Sequence, residues 1–154
     1  MSKITIIGSG RVGSTIAYSL TCRGLGSEIV IIDINEKKAL GEAMDIRQGT
    51  PFCAPCKIYA GRYEDAAGSD IVVITSGIGR KPGQTRLDLA KTNVNILKSI
   101  AGEITKYASE AIYVIVSNPV DVLTYVFNKV TNIPESHIIG TGTLLDTARL
   151  RSRL

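Results

Sequence analysis

Near the start of this 154-residue chain stand two groups of residues whose types and spacing suit a phosphate and a ribose. Gly8-Ser9-Gly10-Arg11-Val12-Gly13 closes an apolar run and opens a helical pattern. There, amides at a helix N-terminus can face a pyrophosphate with no Cβ atoms in the way, so Gly8, Gly10 and Gly13 are the candidate phosphate residues. Asp33 ends the next apolar run, twenty positions after Gly13. A carboxylate so placed accepts hydrogen bonds from both ribose hydroxyls and repels a 2'-phosphate, which predicts NAD rather than NADP as the ligand.

Three later blocks carry groups suited to a small oxyanion or carbonyl. They are Gly77-Ile78-Gly79-Arg80-Lys81-Pro82-Gly83-Gln84-Thr85-Arg86-Leu87-Asp88-Leu89, Ser117-Asn118-Pro119-Val120-Asp121, and Gly140-Thr141-Gly142-Thr143-Leu144-Leu145-Asp146-Thr147-Ala148-Arg149. Taken singly, each has an ordinary explanation: a solvated basic loop, an Asn-Pro turn, a surface ion pair three residues apart on a helix. Their order after successive strand ends is what makes them candidates.

The elements that must position these residues follow from hydrophobic periodicity. Short β-branched runs at Ile4–Ile7, Ile29–Ile32, Ile71–Thr75 and Ile112–Val116 read as buried parallel strands, with weaker ones at Ile58–Ala60 and Ile138–Ile139. Val12–Leu20, Glu36–Ile46 and Leu87–Tyr107 have helical spacing, the last through Leu87, Ala90, Val94, Leu97, Ile100 and Ile104. Such alternation implies right-handed crossovers and an α/β fold: a Rossmann-type doubly wound parallel sheet of about six strands, with its ligand at the carboxyl ends. The length and the 44% hydrophobic content suit one domain over residues 1–154.

In order and spacing, the glycine run, Asp33 and the three later blocks resemble the lactate/malate dehydrogenase family along the entire chain. The resemblance implies that Arg80 to Arg86 is a loop closing over substrate, with Arg86 brought to the substrate carbonyl to stabilise developing negative charge. It makes Arg149 the clamp on the substrate carboxylate, Asn118 an amide contacting substrate and nicotinamide, and Asp146 the acid that orients a catalytic histidine. By the same alignment Val12, Lys38, Tyr63, Gly77, Ile78, Ser99, Val116 and Thr141 join the NAD contacts. It also implies a small 2-hydroxy or 2-oxo acid substrate and a homo-oligomer, dimer or tetramer, in the full-length protein.

The family's histidine general acid/base stands in a second domain, in a His-Gly-acidic context. The one histidine here, His137, lacks that context and is expected on the surface. The chain also stops inside what reads as the helix carrying Arg149. It is therefore expected to be the cofactor domain of a longer enzyme, binding NAD weakly and turning over substrate negligibly by itself. An NAD-binding module without catalysis stays open beside that reading.

Substrate preference is divided. Arg80 stands where malate enzymes of the family carry Arg and lactate enzymes Gln, and a guanidinium there would meet the second carboxylate of oxaloacetate. Thr85-Arg86-Leu87-Asp88-Leu89 and Gly142-Thr143-Leu144-Leu145-Asp146 look like the lactate branch. Two blocks against one residue favour L-lactate/pyruvate, with L-malate/oxaloacetate the alternative.

Composition argues against other classes. The net charge of +4 gathers in Arg80–Arg86 and Arg149–Arg153, without the interleaved aromatics that single-strand nucleic-acid binders need. No apolar stretch approaches the roughly 18 residues of a membrane helix, and no leader is evident, so neither nucleic acid nor membrane is expected and the location reads as cytoplasmic. Cys53-Ala54-Pro55-Cys56 has thioredoxin-like spacing but lacks a following helix to lower a thiol pKa, and with Cys22 it offers too few zinc ligands; three free thiols and no metal are expected. Tyr125 and Lys129 match the Tyr-x-x-x-Lys pair of short-chain dehydrogenases, yet the glycine run is spaced differently, and a helix-surface role is expected.

Overall fold

The computed structural model describes residues 2–79, 83 and 85–154. Six strands, β1 (Lys3–Ile7), β2 (Glu28–Ile32), β3 (Lys57–Ala60), β4 (Ile71–Ile74), β5 (Ile112–Ile115) and β6 (Ile138–Gly140), form one sheet in the order β3-β2-β1-β4-β5-β6. Every pairing is parallel. Among the described residues five α-helices, α1 (Arg11–Arg23), α2 (Glu36–Gln48), α3 (Arg86–Ile104), α4 (Val120–Val130) and α5 (Leu144–Arg151), accompany it. The order reverses between β1 and β4, the switch point of a doubly wound sheet.

Both faces of the sheet are covered, so its strands are apolar throughout rather than alternating. Ile29 and Ile31 of β2 join Ile4, Ile6, Ala17, Ala39 and Ala43 on the face packed by α1 and α2. Val30 and Ile32 join Ile74, Leu97, Ile104, Tyr113, Leu123 and Phe127 on the face packed by α3 and α4. The alanines let α1 and α2 lie close to the strands. The larger α3–α4 core includes the Tyr113 and Phe127 rings, packed at a tilt of 39° with 4.8 Å between centroids.

Register turns this architecture into a binding edge. Ile7 pairs with Ile32 and Ile74, Ile74 with Ile115, and Ile115 with Gly140. The next residue of each strand, namely Asp33, Gly8, Thr75, Val116 and Thr141, therefore emerges along a single carboxyl edge.

Several expectations shift in detail. Ile58–Ala60 is a true strand, extended to Lys57 and held on β2. The helix expected from Leu87 to Tyr107 runs Arg86–Ile104. Its inward stripe starts at Asn93, and no residue of α3 before it is buried; Leu87 is 64% exposed. α4, which periodicity did not single out, buries Val120, Leu123 and Phe127.

Tyr125 lies exposed on α4 with the Lys129 ammonium 5.6 Å from its ring centre, as a surface pair should. All three cysteines are free, and Cys53-Ala54-Pro55-Cys56 runs from a one-turn 3-10 helix into β3. Partial burial pushes the Cys56 thiol above its ordinary range, the opposite of an activated redox pair. His137 departs from the surface reading: it is half-buried in the turn before β6, and its Nδ1 is buried without a hydrogen-bond partner among the described residues.

Candidate functional site

The three glycines of the opening motif serve three different needs. Gly8 leaves β1 with φ +107°, and a Cβ there would come within 2.8 Å of Thr75 Oγ1 and 2.9 Å of Ser76 Oγ. Gly13, in the first turn of α1, is buried, and its Cβ would overlap the Gly8 carbonyl oxygen. Gly10 caps α1 with ordinary backbone angles, and no other group lies within 4 Å of where its Cβ would point. The first glycine thus makes the turn, the third lets helix and strand pack, and the second leaves space at a helix N-terminus for an anion to approach the amides.

Asp33 is held ready beside that turn. Its Oδ2 accepts from the Ser9 N–H (2.7 Å) and Ser9 Oγ (2.9 Å), and its Oδ1 from the Asn35 N–H (2.9 Å). Burial by itself raises the carboxyl pKa, but these hydrogen bonds and the nearby Lys38 charge outweigh it and hold the group below the usual carboxylate range. Asp33 is accordingly an anion with lone pairs still available, suited to two ribose hydroxyls.

A cavity of about 560 Å³ runs along the carboxyl edge across the switch point, lined by Gly8, Gly10, Asp33, Lys38, Tyr63, Gly77, Ile78 and Ser99. Its size falls within the range of small-molecule sites. Eight residues expected from sequence therefore meet in one place. At one end the Tyr63 hydroxyl has its pKa raised by burial and by the Glu103 and Asp33 carboxylates, so it stays neutral. Asn35, Thr75, Ser76 and Ile96 also line the cavity and were not foreseen. Asn35, which N-caps α2 by accepting from the Lys38 N–H, could have been found from the Asp-x-Asn step into a helix.

Other expected residues stand outside this cavity. Val12 is 52% exposed on the first turn of α1, and Gly13 is buried beneath it. Val116, Asn118 and Thr141 lie at the ends of β5 and β6. They belong to the second half of the edge, which a mesh of side-chain hydrogen bonds to backbone holds together. Thr75 Oγ1 donates to the Ile7 and Gly8 carbonyls, Ser117 Oγ to the Ser76 carbonyl (2.6 Å), and Thr141 Oγ1 to the Ile115 carbonyl (3.0 Å).

The residues implied for substrate are not gathered. Arg86 is the exposed first residue of α3, set by a capping box in which Thr85 and Asp88 bond each other's backbone N–H. Arg149 and Asp146 lie on α5 and pair with each other at 3.0 Å, both largely exposed. Arg80 lies outside the described residues.

Taken together, the open Gly10 cradle, the anionic Asp33 and the cavity across the switch point fit a dinucleotide with an unphosphorylated adenosine ribose. A sequence model of the family described as lactate/malate dehydrogenase, NAD binding domain, matches residues 2–140. The chain is 54% identical over 151 residues to the L-lactate dehydrogenase of Acetivibrio thermocellus, covering 98% of this chain and 48% of that protein. Among solved structures, the minor L-lactate dehydrogenase of Enterococcus mundtii, in a ligands-bound form, superposes with a TM-score of 0.95 at 42% identity, covering 98% of this chain and 48% of that one. Malate dehydrogenase from Archaeoglobus fulgidus, in complex with NADH, gives 0.94 at 42% identity, with 99% and 52% covered. The chain spans about half the length of the curated relatives it matches.

Proposed function

Because this chain belongs to the lactate/malate dehydrogenase family, through its NAD-binding domain, we propose that it is the cofactor half of a longer NAD-dependent 2-hydroxy-acid dehydrogenase acting on L-lactate and pyruvate. The observation that carries the reading is the cavity joining Gly8, Gly10, Asp33, Gly77 and Ile78 along one sheet edge. The lactate preference rests on relatives named L-lactate dehydrogenase at 50–54% identity, together with the two lactate-like blocks.

NAD, when bound, supplies the carbon that gives or takes a hydride. The chain's own residues bind and orient. The α1 N-terminus at Gly10 would face the pyrophosphate, Asp33 would accept from the adenosine ribose, and the loops after β4 and β5 would wall the nicotinamide side. Arg86 and Arg149 would leave their present solvent and Asp146 partners to hold the substrate carbonyl and carboxylate in the assembled enzyme. Apolar residues of α2 (Leu40, Met44) and α5 (Leu144, Leu145, Leu150) stand exposed, which supports burial against a second domain or a second copy in a cytoplasmic dimer or tetramer.

Arg80 favours a second reading, L-malate/oxaloacetate, by offering a cation to a second carboxylate. Steady-state comparison of pyruvate and oxaloacetate with the full-length enzyme decides between them. A higher kcat/KM for pyruvate is expected, and a large preference for oxaloacetate would reverse the assignment. The 154-residue chain should bind NADH weakly and show negligible turnover with either acid; robust turnover by the pure chain would refute the half-enzyme reading.

A further inference from the structure

We propose that Asn93 is a positioning residue for the nicotinamide end of the cofactor, locking the loop after β4 to the loop after β5 through its side-chain amide. The proposal rests on the NAD-binding reading above. Asn93 is 3% exposed and heads the inward stripe of α3, followed by Leu97, Ile100 and Ile104. An uncharged amide in an otherwise aliphatic stripe costs stability unless its polar atoms are satisfied. Here they are: Oδ1 accepts from the Ile78 N–H at 2.9 Å, and Nδ2 donates to the Asn118 carbonyl at 2.8 Å and to the Ile78 carbonyl at 3.3 Å.

The two loops so joined are the ones that face the second mononucleotide. Asp33 lies on the β1–β3 side of the switch point and suits the adenosine ribose, so the ends of β4 and β5 are left to the nicotinamide half. Gly77 presses against the same amide: a Cβ there would stand 3.4 Å from Asn93 Oδ1 and 3.5 Å from its Cγ and Nδ2. One planar group therefore sets the backbone of Ile78 on one side and of Asn118 on the other. Only an amide does this, because it carries an acceptor and donors on a single short arm. Aspartate would keep the bond from Ile78 N–H while placing a carboxylate against two carbonyls; alanine would leave all three backbone groups unpaired. Asn93 does not line the cavity, so it acts through the loops it holds rather than by touching ligand.

NADH and ADP-ribose separate this role from a general loss of structure, since ADP-ribose keeps the adenosine and pyrophosphate groups and lacks the nicotinamide. Isothermal titration of both ligands into the chain, its Asn93→Asp variant and its Asn93→Ser variant is the test. The native chain should bind both, NADH more tightly. Either variant should lose about tenfold in NADH affinity, the size expected for removing one buried hydrogen bond to backbone, with ADP-ribose affinity held within about twofold. Serine is small and uncharged, so it serves if the aspartate variant does not fold. Equal losses for both ligands, no loss for NADH, or equal native affinities for the two ligands would each overturn the positioning role. A native chain that binds neither ligand would instead overturn the NAD reading itself.

Discussion

At Gly10 and Gly13 the same residue type answers opposite demands, one for empty space and one for close packing. Gly13→Ala forces a methyl onto the Gly8 carbonyl. It should lower the stability of the chain by about 1–3 kcal/mol in urea unfolding, the usual range for overpacking. Gly10→Ala meets no atom within 4 Å and keeps an allowed backbone conformation, so its cost should stay below about 1 kcal/mol, a cap-residue effect. The methyl would nevertheless occupy the anion's approach, and NADH titration should show affinity lost without stability lost. A Gly10→Ala variant that binds NADH as the native chain does would refute the cradle. Both glycines were legible from motif spacing, and so was Asp33. Ser9, which spends its N–H and hydroxyl on Asp33, was not: the middle position of Gly-x-Gly carries no type signal until the carboxylate is seen beside it.

Among the elements, α3 joins the most functions, since it begins at Arg86, lines the cavity with Ile96 and Ser99 and braces two loops with Asn93. Its start depends on the Thr85–Asp88 capping box. Thr85→Ala should cost about 0.5–2 kcal/mol and speed amide exchange through the first turn, where Arg86 sits. Unchanged exchange there would show that the turn is held by something other than its cap. By contrast, Arg149 and Asp146 are exposed partners, and replacing Arg149 by Ala should move domain stability by less than about 0.5 kcal/mol. The helical spacing of α3 was readable, but its register with the sheet was not. Leu87 was expected in the apolar stripe and is exposed, because periodicity reports which residues share a face and not where along the helix burial begins. Asn93 was passed over for the neighbouring Val94, although a polar residue four before Leu97 in a core stripe is a signal worth taking.

For the molecule as a whole, ligand binding and folding are linked. NADH at about a hundred times its Kd should stabilise the chain by about 2.7 kcal/mol, or about 5–10 °C in thermal midpoint for a domain of this size. NADPH at equal concentration should give a much smaller shift, because its 2'-phosphate meets the Asp33 carboxylate. Equal shifts from the two would remove Asp33 as the discriminating residue.

Local order was enough for the alternation of strands and helices, the glycine motif, the acidic residue after β2 and the blocks after β4, β5 and β6, since each is set by neighbours in the chain. Strand order and register brought Asp33, Gly8, Thr75, Val116 and Thr141 to one edge. Those are agreements between segments far apart in sequence, and no local pattern states them. The same holds for the Asn93 bridge, whose three bonds connect α3 to loops 15 and 25 residues away. A buried amide finds its partners only once the sheet has set the distance between those loops.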